Sequence, residues 1–455
     1  MTDQLSAYVR ISKNSYLTPD GEAVRLLYAT RTASLACLPE AAAAQLAEGT
    51  LNQLDSELLT NLRRIEAVVD DDSVEREVVL DRQRAEAQRT DHRRFVLLPT
   101  TYCNMGCTYC GQEHTRGGLS HRHRDAVIAR VMHAITDPAI AEVTVNWFGA
   151  EPMVGYPAVL DMSRRFVAAA DEHGVGYEAK MVTNGTLLTL EKLRTLHHEC
   201  RIWKFDITLD GPARIHDVHR PLKNGKRSFD RITGLVREAL QQEDLRNVQF
   251  ILRTNIDVQN IAWVDEYLDT MAEFGFATDQ VMFNLAPVYS WGNDVSAVEV
   301  ARLQFADYEV GWMSRMLHLG LRFIAVPNQP MGALCAAVSP AAEIVSSTGN
   351  VFSCSEYPLV PQHEETGGLG QLTLLPVDQR RPAGPFDDWH DSVSAGATPC
   401  HSCVFLPVCG GSCPKQWREG NAACPPYKFN LEARFDLMAE LNGLSQRQVA
   451  AADLP

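Results

Sequence analysis

From about residue 94 onward, β-like runs alternate with amphipathic helical stretches, and that rhythm restricts the fold more than any other property of these 455 residues. Phe95 to Pro99, Val143 to Phe148, Ala179 to Thr183, Lys204 to Leu209, Val248 to Thr254 and Val281 to Leu285 read as strands. Asp125 to Ile135, Val159 to His173, Leu190 to His198, Asp230 to Leu240 and Ile261 to Phe274 read as helices, the last ended by Gly275. Six β/α units imply a parallel sheet with right-handed crossovers. Periodicity alone leaves two closures open, a partial barrel or a flat doubly wound sheet. In a barrel, the loops at the C-terminal strand ends form the site.

Just after the first strand, the run Cys103-Asn104-Met105-Gly106-Cys107-Thr108-Tyr109-Cys110 supplies three thiolates and leaves one metal position open. A structural zinc site is normally closed by four protein ligands, whereas a cluster iron without a protein ligand can bind and activate a small molecule. His114 is near enough in sequence to close a zinc knuckle, so the loop by itself permits both. Later strand ends carry Gly149-Ala150-Glu151-Pro152, Thr183-Asn184-Gly185 and Thr208-Leu209-Asp210-Gly211-Pro212, and Arg253 and Asn255 lie on the fifth strand. Singly, these are ordinary turn signals and polar strand residues. Seven more cysteines follow: Cys335, Cys354 closing the stretch that begins at Gly349, then Cys400, Cys403, Cys409, Cys413 and Cys424. Cys37 and Cys200 stand apart and read as ordinary buried thiols.

C-x3-C-x2-C with an aromatic before the last cysteine, followed in order by those strand-end pieces, resembles the radical S-adenosylmethionine (SAM) enzymes. His216, Asp217, Arg220, Gly225, Ser228 and Phe229 have a spacing similar to the subgroup that modifies peptides and proteins, and the seven later cysteines resemble its SPASM extension. The resemblance implies an α/β fold, a partial (β/α)6 TIM barrel over residues 95–290, with a [4Fe-4S] cluster on Cys103, Cys107 and Cys110 and SAM on its open iron. It implies SAM contacts from Tyr109, Gly149, Ala150, Glu151, Asn184, Thr208 and Arg253. Ala150 departs from the second glycine of the family motif, which is tolerable at negative φ and strained where only glycine fits. A SPASM domain at 331–430 would hold two auxiliary [4Fe-4S] clusters, one on Cys400, Cys403, Cys409 and Cys424, the other on Cys335, Cys354 and Cys413. The fourth ligand of the latter stays open among water, substrate and a carboxylate such as Glu343. Zinc ribbons use the same thiolates.

Residues 1–70 differ in kind. Tyr8 to Ser12, Arg25 to Thr30 and Ala33 to Leu38 read as a small β-meander, and Glu40 to Ala47 and Leu54 to Arg64 as short helices. This order resembles the winged-helix leader-recognition element of enzymes that modify ribosomally made peptides, which binds a leader by adding a strand to a sheet edge. A structural cap on the barrel fits the same elements. Residues 71–94 read as a charged linker, helical or partly flexible, 291–330 as a bridging helical region, Leu359 to Thr398 as a loop, and 431–455 as a C-terminal helix and tail. A formal charge of -15 argues against a nucleic-acid partner. No apolar run is long enough to span a bilayer and the polar start Met1-Thr2-Asp3-Gln4 is no signal peptide, so a cytoplasmic enzyme without a membrane partner is expected. Clustered cysteines fit metal ligation in such a reducing compartment.

The resemblance implies an oxidoreductase, a peptide maturase that uses the 5'-deoxyadenosyl radical to install a carbon-carbon or thioether cross-link in a precursor peptide. Its partners would be that peptide with its leader and a cellular one-electron reductant. The alternative is an anaerobic sulfatase maturase, in which an aspartate follows the cysteine of the glycine-x4-cysteine piece; here Ser355 and then Glu356 follow Cys354. A non-catalytic metal-binding peptide scaffold, from another class, leaves Glu151, Asn184 and Thr208 after successive strands unexplained.

Overall fold

The computed structural model describes residues 3–447; the last part of the expected tail, residues 448–455, lies outside them. The chain begins with an antiparallel sheet of β1 (Val9–Ile11), β2 (Tyr16–Leu17), β3 (Ala23–Ala29) and β4 (Ser34–Pro39). β3 pairs with β1 and β2 along one edge and with β4 along the other. Its residues alternate between two packed faces, as strand geometry requires. Leu27 and Ala29 pack under the helices α1 (Glu40–Ala47) and α2 (Ser56–Arg64), the latter capped by the Asp55 carboxylate. Leu26 and Tyr28 face Val404, Phe405 and Phe435 from the far end of the chain. Tyr28 donates to the Pro327 carbonyl (2.6 Å) and Thr30 to that of Val404 (2.6 Å), which fixes the docking. Cys37 sits on β4 opposite the buried Leu38 and is exposed, not buried as its sequence suggested; Cys200 is buried.

The charged stretch before the barrel is helical, with α3 spanning Glu75–Ala87. Val79, Leu80 and Ala87 pack against Trp389, Val393, Cys400 and Leu406. The Glu75 carboxylate accepts from the Ala7 amide (2.8 Å) and pairs with Arg31 (2.8 Å). Charges that look solvated in sequence are thus spent on tertiary partners.

The barrel strands are β5 (His92–Leu97), β6 (Glu142–Trp147), β7 (Gly176–Thr183), β8 (Ile202–Thr208), β9 (Gln249–Ile256) and β10 (Val281–Pro287). All are parallel and neighbours in chain order, with no reversal of the kind a doubly wound sheet contains. β11 (Ala342–Val345) joins β5 in parallel, and β12 (Asn350–Phe352) and Gly370–Gln371 extend this nine-stranded sheet antiparallel toward the second cysteine set. Outward residues such as Trp147, Met181, Phe205 and Phe250 are fully buried under α4 (His121–Thr136), α5 (Tyr156–His173), α6 (Leu190–Cys200), α8 (Phe229–Ala239) and α9 (Val264–Glu273), with α7 (Ala213–His219) at the barrel mouth. Each such side chain contributes about 2–3 kcal/mol of burial energy. The inward face is polar, with Arg94, Asn146, Lys180, Lys204, Asp206 and Arg253 alternating against the core residues. α10 (Arg302–His318) bridges to the C-terminal region, where α11 (Leu431–Leu441) is followed by a short strand, Ser445–Gln446, that pairs with β2. Among the described residues no helix is long and apolar enough to cross a membrane.

Candidate active site and thiol centres

The C-terminal ends of β5 to β9 bring the first cysteine run and the later motifs into one place. The cysteine loop is zipped to the segment after α7: the Gly106 amide donates to the Pro221 carbonyl (2.9 Å) and the Lys223 amide to that of Asn104 (2.9 Å). Burial pushes the Cys107 thiol up to about 12 and raises Cys103 and Cys110, with the Arg220 guanidinium acting the other way. Such thiols become good ligands when a metal supplies the missing positive charge.

Glu151 is wholly buried. Its Oε1 accepts from Thr183 Oγ1 (2.6 Å) and the Met153 amide (2.9 Å), and its Oε2 from the Asn184 amide (2.7 Å). The carboxylate therefore ties the second strand-end loop to the third, and each oxygen keeps lone-pair capacity for a donor. Asn184 Nδ2 donates to Asn104 Oδ1 (2.8 Å) and lies 3.8 Å from Cys103 Sγ, linking that loop to the cysteines. Gly149 has φ +78° and an added Cβ would fall 2.3 Å from Leu98, so glycine is required. Ala150 also has positive φ, +47°, the strained case, and its amide donates to Gln112 Oε1 (3.0 Å).

Tyr109 turns its hydroxyl into a buried charged network. It donates to Asp210 Oδ2 (2.7 Å) and accepts from Arg220 and from Asn255 Nδ2 (2.9 Å). His219 donates from Nδ1 to Asp210 (3.0 Å) and from Nε2 to Asp257 (2.8 Å). Burial opposes its charge, but the two carboxylates win and lift its pKa to about 9. Asp210, although buried, is held below its usual value by His219 and Arg220. Arg253 donates to Asn255 Oδ1 (2.8 Å), and Thr208 is buried in register with Arg253. Of the remaining motif residues, Asp217 accepts from the Ser228 (2.8 Å) and Phe229 (3.1 Å) amides, and His216 bonds Ser228 (3.1 Å), which locks the α7–α8 corner. Sequence reading missed His219, Asp257 and Asn293, whose Nδ2 donates to the Tyr109 carbonyl (3.0 Å); none belongs to a short motif.

The described cysteines are all free. Cys400, Cys403, Cys409 and Cys424 line one small cavity, with Trp417 and Lys428 beside them, and Lys428 Nζ lies 3.4 Å from Cys424 Sγ. Cys335, Cys354 and Cys413 act electrostatically on one another, and burial raises all three thiols. Among the described residues no three His, Cys, Asp or Glu side chains converge on a single-ion site. Thiol sets of this kind suit soft metals, iron–sulfur clusters and zinc alike. Glu343 is not available to the second set, because Arg93 and Arg130 both hold it in the outer layer of the barrel. Glu356 is the carboxylate whose charge acts on Cys110, Cys354 and Cys413.

Below the strand ends, a cavity of about 950 Å³ is lined by the inward residues of β7 to β10, by Pro327 and Asn328 under the N-terminal sheet, and by Cys413 and Cys424. Its size is that of a ligand site.

Residues 97–269 match the Radical SAM superfamily, a family whose members use SAM and a [4Fe-4S] cluster. A serine-type anaerobic sulfatase-maturating enzyme of Bacteroides thetaiotaomicron is 22% identical over 350 residues, 69% of this chain and 80% of that protein. A cysteine-type anaerobic sulfatase-maturating enzyme of Clostridium novyi is 20% identical over 340 residues, 68% of this chain and 84% of that protein. The solved structure of native anSMEcpe with bound AdoMet and Cp18Cys peptide shares the fold, with TM-score 0.55 and 16% identity, covering 77% of this chain and 97% of that chain.

Proposed function

We propose that this radical SAM enzyme is a peptide maturase that removes two hydrogens from a precursor peptide and joins the two sites by a carbon-carbon or thioether bond. The observation that carries the reading is the N-terminal sheet: β4 pairs on one side only among the described residues, and the sheet is docked on the wall of the large cavity. A free edge is a template for an added strand, which suits a leader whose following segment enters the cavity.

When bound, SAM and its cluster supply a 5'-deoxyadenosyl radical that takes one hydrogen atom from the substrate. The residues at the strand ends orient that chemistry. Glu151 and the Gly149–Ala150 backbone would hold the SAM amino group, Asn184, Thr208 and Arg253 its ribose and carboxylate, and the Tyr109 backbone the adenine side, while the Asp210 network holds the loop rigid. For X–H and Y–H to become X–Y, the second hydrogen leaves as a proton and an electron. Cys413, on the cavity wall with Cys335 and Cys354 nearby, would hold the electron acceptor, an auxiliary [4Fe-4S] cluster, and Cys400, Cys403, Cys409 and Cys424 a further one. The C-terminal region is on this reading a SPASM domain.

The sulfatase-maturating relatives favour a second reading, oxidation of a single serine or cysteine in a protein to formylglycine. Ser355, where an aspartate would be expected, weighs against it. Anaerobic co-expression with candidate short precursor peptides, followed by fragmentation mass spectrometry, separates the two. Loss of two hydrogens located between two linked residues supports the maturase. An unchanged peptide beside an enzyme that still cleaves SAM moves the substrate to a protein.

A further inference from the structure

Asn146, Lys180, Lys204 and Gln249 stand in register across four adjacent barrel strands, all on the inward face. Lys180 and Lys204 are direct cross-strand neighbours, an arrangement of like charges that costs stability. Both line the large cavity, and neither forms an ion pair or hydrogen bond with a described residue. Arg94 adds a third positive charge acting on Lys180. Asp206, two residues beyond Lys204 and also lining the cavity, leaves Oδ1 buried without a partner, and so does Asn146. Burial, with Arg94 and Lys204 beside it, lowers the Lys180 ammonium from its usual value, and burial raises the Asp206 carboxyl. Lys180 is exposed to the cavity and Lys204 half-buried, and with Arg94 they outnumber the Asp206 and Glu178 carboxylates that act on Lys180, so the cavity offers this pair of lysines to an anion.

We propose that the Lys180–Lys204 pair is a substrate subsite for a carboxylate-bearing side chain: the two ammonium groups donate to the carboxylate, and Asp206 Oδ1 accepts an N–H group of the same peptide segment. The inference rests on reading the cavity as the substrate's, and not on which bond is formed. Charge-assisted bonds to two ammonium groups give both affinity and a preference for the ionised ligand. Thr208 lies four residue steps beyond Lys204, about 13 Å along the strand. The acidic residue is therefore an anchor about three or four extended residues away from the one that reacts.

The test is equilibrium dialysis of the iron-reconstituted, SAM-bound protein against N-acetyl-glutamate methylamide and N-acetyl-glutamine methylamide. The glutamate probe should bind about tenfold more tightly to the wild type, and the preference should weaken as salt is raised. In the Lys180→Met/Lys204→Met variant, checked for its full iron content, the preference should fall to about twofold or less. Equal binding of the two probes to the wild type overturns the proposal without reference to any variant. So does a preference that survives the double substitution. Neither probe is a precursor peptide, so the maturase reading stands or falls separately, on the mass of the co-expressed peptide.

Discussion

At the barrel mouth, Asp210, His219, Arg220 and Glu151 all spend their charges on one another or on backbone amides, whereas Lys180, Lys204 and Asp206, a few residues further down the same strands, face a cavity unpaired. The mouth is almost complete before anything binds, with Arg220 Nε the one buried atom of these four residues left without a partner; the floor is not. A cofactor of fixed shape rewards preorganised donors and acceptors, since no reorganisation is then needed when it arrives. A floor with unspent charges is suited to a ligand that brings its own, and its cost is accepted in stability.

The sharpest way to break this contrast is at the cysteine loop. Replacing Cys103, Cys107 and Cys110 together by alanine should abolish 5'-deoxyadenosine formation, read by liquid chromatography. Any residual SAM cleavage would place the cluster elsewhere. Next in size is Asp210→Asn, which leaves the buried Arg220 and His219 charges without their shared partner. Removing one member of a buried ion pair costs about 3–5 kcal/mol, so the midpoint of chemical denaturation should fall markedly.

How much of this was legible in the sequence follows the same division. Motifs at the mouth lie within short stretches, so Cys103 to Cys110, Glu151 and Asn184 are recognisable from spacing alone, and the six strands follow from periodicity. The floor is set by strand register: Lys180 and Lys204 are far apart in sequence, and nothing in either segment says that they meet. The same holds for α3, whose glutamates and arginines look solvated until Glu75 is seen to hold Arg31 and the Ala7 amide. Ala150 was a matter of backbone angle, and its φ of +47° exists only in three dimensions. The Glu343 carboxylate was misplaced for a related reason, since β11 adds to β5 and turns it toward Arg93 and Arg130.

A pH series sharpens the comparison further. His219 has its pKa raised from 6.5 to about 9 in the folded protein. Its contribution is full below about pH 6.5 and is lost as pH rises through about 9, a swing on the order of 3 kcal/mol. Unfolding free energy measured across that window should decline, and His219→Gln should flatten the decline. The smallest effect belongs to the floor. Lys180→Met removes one of two facing like charges, so it should lower the unfolding free energy by no more than about 0.5 kcal/mol, or raise it.

The most direct measurement of this division of labour is lysine acetylation footprinting of the iron-reconstituted wild type by mass spectrometry, with SAM alone and with SAM plus N-acetyl-glutamate methylamide. SAM alone should leave Lys180 and Lys204 as reactive as in its absence, and the acidic probe should protect both. Protection by SAM alone, or none from the probe, would contradict the assignment of the mouth to the cofactor and the floor to the substrate.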